Sequence, residues 1–240
     1  MIVQACLNGA RPAGWHPRLP TNAQALATDA AAVVRAGAQE LHLHVRAADG
    51  AESLEPADVD ATVAAVRAAV PGTLIGVSTG AWIEPDEDRR LALIAGWREL
   101  PDHASVNLSE AGAPAVIERL RRLGVGVEAG LASTADAERF VRLGLAGLAL
   151  RVLIEIEEQD LADAMAVADA ILEVLERARV KKPILLHGLD GTVWPFVERA
   201  LRQGYSTRIG LEDGAALPDG SFAGSNAELV GAALRLARQR

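Results

Sequence analysis

The sequence predicts a single-domain (β/α)8 TIM barrel over residues 1–240. Eight short apolar runs alternate with helical patterns along the chain, as repeated βα units around a parallel sheet require. A length of 240 residues suits one such barrel and leaves nothing for a second fold. Neither GxGxxG nor GxxxxGK(S/T) follows the first run, so the phosphate signatures of the doubly wound nucleotide folds, the main alternative, are missing.

The first strand is expected at Val3 to Leu7, stopped by Asn8-Gly9. Thr21-Asn22-Ala23-Gln24 reads as a capping box that opens a helix ending near Gly37. The second strand, Glu40 to Val45, alternates Leu41, Leu43 and Val45 with His42 and His44. Behind Pro56, a helical stripe of Val59, Val63, Val66 and Val70 ends at Pro71-Gly72. Further strands are expected at Leu74 to Ser78, Ala104 to Leu108 and Val125 to Glu128. A helix then opens at Ser133 to Asp136 and ends near Gly144. The last strands are placed at Gly147 to Val152, Ile184 to His187 and Ser206 to Leu211, and a helix after Asn226 closes the set.

Half of the residues are apolar but only 3% are aromatic, so the core must be built from Ala, Val, Leu and Ile. Trp82, Trp97 and Trp194 are read as packing between helices and barrel. The net charge of -8, with no basic block, argues against nucleic acid as a partner. Cys6 is the lone cysteine, so no intrachain disulfide forms and a reducing, cytoplasmic setting fits. The N-terminal run lacks a basic region, and no apolar stretch reaches membrane-spanning length, so a signal peptide and a membrane partner are not expected.

Strand alternation turns His42 and His44 into the same space near the carboxyl end of the second strand, the catalytic end of a barrel. Two readings fit this pair: two nitrogens of a metal site, or imidazoles satisfied by hydrogen bonds in a polar barrel top. On the eighth strand the same alternation groups Arg208, Gly210 and Glu212, followed by Asp213. In a closed barrel only the first strand separates the eighth from the second. Glu212 can therefore complete a two-histidine, one-carboxylate set; alternatively Glu212-Asp213 is a solvated acidic turn. Asn107, Glu110, Glu128, Arg151, Glu155 and His187 are other polar residues at strand ends that can line the mouth or form rim ion pairs.

His42-Leu43-His44-Val45-Arg46, Ser78-Thr79-Gly80 and Arg208-Ile209-Gly210-Leu211-Glu212-Asp213 resemble motifs of the beta-keto acid cleavage enzymes. Asn8-Gly9-Ala10, Ala104-Ser105-Val106-Asn107 and Ser225-Asn226-Ala227 extend the likeness over nearly the whole chain. The resemblance implies a zinc-dependent barrel that takes a beta-keto acid and acetyl-CoA and returns acetoacetate and a new acyl-CoA by a retro-Claisen route. It implies His42, His44 and Glu212 as ligands of zinc or another divalent ion, Asp213 as general base and Arg208 as its charged partner. Ser78 and Ser105 become pocket hydroxyls, Asn107 and Glu128 match further family positions, and relatives suggest a homo-oligomer, in the form of a tetramer.

Arg11 departs from the pattern. A family member that acts on an amino-substituted keto acid carries a glutamate there, facing the substrate ammonium; arginine favours a carboxylate or polar tail instead. It can also swing to solvent or toward CoA phosphate, for which Arg18 and Arg46 are the other rim candidates. The chain is shorter than the typical member, so a pocket-shaping loop is expected to be trimmed. Two other classes of function stay open. One is hydrolysis or retro-aldol cleavage at the same metal, although hydrolases with a His-x-His pair carry it on the first strand with more histidines later. The other is a catalytically silent barrel that binds a keto acid as a sensor.

Overall fold

The computed structural model describes residues 1–239. Among them the order is β1 Val3–Cys6, α1 Ala23–Ala36, β2 Glu40–Leu43, α2 Pro56–Ala69, β3 Leu74–Ser78, α3 Glu87–Ala95, β4 His103–Asn107, α4 Ala113–Arg122, β5 Gly126–Leu131, α5 Thr134–Arg142, β6 Arg151–Ile156, α6 Leu161–Arg177, β7 Ile184–Gly188, α7 Val193–Gln203, β8 Thr207–Ile209 and α8 Asn226–Arg238. The strands are parallel and run β7-β6-β5-β4-β3-β2-β1-β8. A single bridge, Leu185 to Ser206, brings the two ends together. It is flanked by Leu186 N–H to the Ser206 carbonyl and Ser206 N–H to the Ile184 carbonyl, both 2.9 Å. The result is the expected (β/α)8 barrel. No helix among the described residues is long and apolar enough to cross a membrane.

The helix signals act where the sequence puts them, with one shift. The cap of α1 is Asn22, whose Oδ1 accepts Ala25 N–H at 2.9 Å, rather than Thr21. Gly37 ends that helix at φ 110, a left-handed value that favours glycine. Ser133 and Ser225 cap α5 and α8. The sixth strand needs correction: it is Arg151–Ile156, not Gly147 to Val152. The preceding apolar residues form a 3-10 turn at Leu145–Gly147 after Gly144 takes φ 64, and the strand begins only where Arg151 turns into the barrel. The eighth strand is also shorter than expected. After Ile209 the chain turns, with Asp213 N–H on the Gly210 carbonyl at 2.9 Å, so Glu212 and Asp213 stand on a bend.

Two compartments result. Between sheet and helices lies an apolar layer in which Leu41, Val77, Val106, Ile154 and Leu186 of the strands belong to one buried cluster with Leu26, Val63, Leu120, Phe140 and Phe196 of the helices. Each such side chain stabilises the fold by about 1.5–3 kcal/mol relative to leaving it in water. The bore of the barrel is polar instead. Gln4 Nε2 donates to Glu128 Oε1 at 3.1 Å, and Arg151 donates to Glu128 Oε1 at 2.6 Å and also to Glu40. His103 Nε2 stands 3.6 Å from the same Glu128 oxygen. This stack requires Gly76, since a Cβ there would meet His103 Nε2 at 2.2 Å.

Candidate metal centre and active site

At the carboxyl end of β2, His42 and His44 are buried, with rings 5.3 Å apart at 79°. Glu212, on the bend after β8, brings Oε1 to 3.8 Å from His42 Nε2 and 3.5 Å from His44 Nε2. One ligand atom from each of the three residues lies within 4.8 Å of the others. Ligands about 2 Å from a tetrahedral ion stand roughly 3.3 Å apart, so the set is near the spacing that zinc or a similar divalent ion requires. Gly9 makes the arrangement possible. It has φ 54, and a Cβ there would press on Glu212 Cγ at 2.4 Å.

The surroundings suit ligation. Glu52 Oε1 takes His44 Nδ1 at 2.5 Å, so that Nε2 is the nitrogen left to face Glu212. Glu52 in turn accepts Trp82 Nε1–H at 3.0 Å. Burial lowers the His42 pKa to about 3, so its imidazole is neutral and able to ligate. Burial also works against a charge on His44, but Glu212 and Glu52 raise it to about 9, so an ion bound at its Nε2 must displace a proton. Glu212 is held well below the usual carboxylate range: its burial opposes ionisation, but Arg208, His42 and His44 outweigh it. Glu212 Oε2 is buried without a hydrogen-bond partner, a condition that a bound ion would relieve.

Arg208 is the second organiser. Its Nη2 donates to Glu212 Oε1 at 2.7 Å and to Glu155 Oε2 at 2.8 Å, and its Nε lies 3.7 Å from Asp213 Oδ1. Asp213 is wholly buried. Cys6 Sγ donates to Asp213 Oδ2 at 2.5 Å, and His187 Nδ1 stands 3.3 Å from Oδ1. Burial, followed by the Asp213 charge, raises the Cys6 pKa well above its usual value, so Cys6 remains a thiol donor.

A cavity of about 430 Å³ opens over these groups, lined by His42, His44, Ser78, Ser105, Asn107, Glu155, Arg208, Glu212, Arg11, Asp190 and Trp82 among others. The structure therefore brings Ser78, Ser105, Asn107 and Arg11 to the same space as the histidines. It does not bring Glu128 or Asp213 to the cavity wall. Glu128 lies deeper in the bore with Arg151, and Asp213 sits behind the wall. Trp82 corrects the reading of it as packing, since it lines the cavity at 51% exposure, whereas Trp97 is buried as expected. Glu52 was not foreseen. Its contact with His44 depends on the Arg46–Glu52 bridge that folds the β2 loop back, which leaves no periodic trace in the sequence.

Arg11 folds across the mouth. Its Nη2 meets Asp190 Oδ1 at 2.6 Å, its Nε donates to the Glu212 carbonyl at 3.0 Å, and its guanidinium lies 4.4 Å from the Trp15 ring centre. Asp190 adopts φ 47, a left-handed value uncommon outside glycine, with its N–H on the Asp213 carbonyl at 2.6 Å. Arg46 is engaged by the carbonyls of Gly9, Arg11 and Gly50.

Known proteins agree with this architecture. The chain is 24% identical over 256 residues to 3-keto-5-aminohexanoate cleavage enzyme of Fusobacterium nucleatum subsp. nucleatum, covering 100% of this chain and 92% of that protein. Among solved structures, apo ObcA superposes with a TM-score of 0.69 at 20% identity, over 93% of this chain and 61% of its own length. 3-Dehydroquinate dehydratase of Geobacillus kaustophilus HTA426 superposes with a TM-score of 0.62 at 13% identity, over 99% and 90%. At such identities these two show the barrel alone. The profile of the beta-keto acid cleavage enzymes spans residues 1–240, the same stretch that builds the ring, the histidine pair and the Glu212 bend, and the chain belongs to that family.

Proposed function

We propose that the chain condenses a beta-keto acid with acetyl-CoA and releases acetoacetate and a new acyl-CoA. The observation that supports this most is the convergence of His42 Nε2, His44 Nε2 and Glu212 Oε1 beneath a cavity lined by Ser78, Ser105 and Asn107. These three residues fit a divalent ion, zinc by their chemistry, and when bound it supplies a positive centre that polarises a keto carbonyl. Ser78, Ser105 and Asn107 offer hydroxyl and amide groups that orient the acid across the cavity. Arg208 holds Glu212 in place and keeps a positive charge beside Asp213.

As base, Asp213 accepts a proton from the acid's C2, between its keto and carboxylate groups; C2 bonds to the acetyl carbonyl and the CoA thiolate leaves. That thiolate adds to the keto carbon, the bond from the keto carbon to C2 breaks to leave the new acyl-CoA, and C2, now part of acetoacetate, takes its proton back from Asp213. The position of Asp213 behind the wall means that substrate entry must uncover it from Cys6 and His187. Arg11 selects the tail: part of its fork already faces Asp190, and a substrate carboxylate competes with that half-exposed partner.

Hydrolytic or retro-aldol cleavage without CoA is the second reading, favoured by the scarcity of free cations at the rim among the described residues. Arg46 is engaged by backbone carbonyls, Arg11 by Asp190, and Arg18 lines a separate cavity near α1. Metal analysis of the purified protein, with a screen of carboxylate-ended and neutral beta-keto acids, separates the readings. One ion per chain and acetoacetate release that depends on acetyl-CoA support the condensation. Cleavage without acetyl-CoA supports the second reading, and metal without any turnover supports a silent barrel.

A further inference from the structure

We propose that Glu155 is a substrate-contacting residue that accepts a hydrogen bond from a hydroxyl on the tail of the beta-keto acid, and that His187 is the positioning residue that aims it. The inference rests on the reading above in taking the acid's head to lie at the β2 histidines. Glu155 comes from the end of β6, and β2 and β6 stand on opposite sides of the closed ring. A chain held at His42 and His44 and extended across the bore therefore runs toward Glu155, which lines the same cavity.

Glu155 has one oxygen engaged and one free. Arg208 Nη2 at 2.8 Å and His187 Nε2 at 3.2 Å both converge on Oε2. Oε1 has no hydrogen bond to any described residue, and the side chain keeps 23% of its surface exposed where the main cavity meets a smaller one beside Asn107. Both partners are nearly sealed, Arg208 at 2% and His187 at 1%, so the carboxylate is gripped from behind and presented forward. A purely structural partner of Arg208 would not need an open oxygen on the cavity.

The chemistry of the free oxygen selects the ligand. Burial disfavours the charge on Glu155, but the close approach of His187 and the Arg208 charge lower its pKa to about 2. An ionised carboxylate accepts hydrogen bonds and donates none, so its complement carries a donor. An ammonium would come up against the Arg208 guanidinium on the same carboxylate, a like-charge contact; a neutral hydroxyl meets no such penalty. The His187 ring stands between Glu155 and Asp213, with Nδ1 3.3 Å from Asp213 Oδ1 and Nε2 3.2 Å from Glu155 Oε2, so it backs the carboxylate from the side away from the cavity.

The test uses short beta-keto acids with a hydroxyl at each tail carbon in turn, each beside its deoxy counterpart, on the metal-loaded wild type, Glu155→Gln, Glu155→Ala and His187→Asn. One hydroxylated acid should exceed its deoxy partner in kcat/KM by about tenfold to a hundredfold, the size expected of a charge-assisted hydrogen bond. Glu155→Gln, which keeps the shape, should cut that ratio about tenfold, and Glu155→Ala and His187→Asn should bring it toward one. A wild type indifferent to every hydroxyl, or a preference that survives in Glu155→Gln and Glu155→Ala, overturns the proposal. If the wild type turns over no acid, the proposed reaction fails on its own account. Calorimetric binding of the same pairs then decides the role of Glu155: a hydroxyl preference in Kd lost in Glu155→Gln upholds it, and equal Kd values overturn it.

Discussion

The bore holds two acid-and-histidine clusters of similar make-up. His42, His44 and Glu212 stand at the mouth; Glu40, His103 and Glu128 lie deeper, and each trio presents atoms within 4.8 Å of one another. They differ in where the arginine sits. Arg151 reaches between Glu40 and Glu128 and bonds both, so the charges of the deeper cluster are answered from within the protein. Arg208 approaches the upper cluster from the side, touches only Oε1 of Glu212, and leaves Oε2 without a partner. The upper trio also opens on the 430 Å³ cavity, and the deeper one does not. Closeness of ligand atoms is therefore a weak criterion for a metal site. What distinguishes the two trios is whether a protein cation already fills the gap.

The hardest way to break this contrast is to remove the deeper cation. Arg151→Met should destabilise the protein by about 3–5 kcal/mol, because two buried carboxylates lose their partner. Added zinc should then raise its Tm more than that of the wild type; a variant indifferent to zinc would show that the deeper trio is unfit for reasons other than Arg151. At the upper cluster, Glu212→Gln should lower metal content, whereas Asp213→Asn, behind the cavity wall, should keep the metal and lower the rate by about a hundredfold to ten-thousandfold. Equal metal loss in the two variants would overturn that division of roles.

Acid should sharpen the contrast next. Glu128 is buried, which opposes its charge, yet His103, Arg151 and His42 depress its pKa from 4.5 to about 2. A depressed carboxylate contributes stability that is fully present above pH 4.5 and is lost as the pH falls toward 2. The contribution is on the order of 3 kcal/mol, and Glu128→Gln should be less stable at neutral pH but flatter across that window in chemical unfolding. The smallest effect is expected from Glu52→Gln, which weakens the support behind His44. Metal affinity should fall about tenfold to a hundredfold by chelator competition, with little change in Tm of the metal-free protein.

Much of this is legible in the sequence because period-2 alternation says which face of a strand enters the bore. His42 and His44 share a face with Glu40, and the same rule gathers Arg208 and Glu212. Alternation does not say how far down the bore a residue lies, which is why Glu128 reads as a mouth residue and proves to be an ion-pair partner. The sixth strand starts later than its apolar run suggests because Leu145, Leu148 and Ala149 suit a 3-10 turn as well as a strand. Glu52, Asp190 and the pairing of Arg11 are set by loops that cross from one strand end to another, and no local period records such crossings. The family resemblance implies a role for Asp213, but no sequence pattern records its seclusion behind Cys6 and His187.

The lone bridge that joins β7 to β8 also bears on how the ring holds together. Few amide rungs fasten that seam, so local opening begins there more readily than between the longer-paired strands. His187 belongs to one side of it and Arg208 to the other, and their grips on Asp213 and Glu155 act as stitches where backbone rungs are scarce. A change that frees either side chain for chemistry therefore also slackens the hoop.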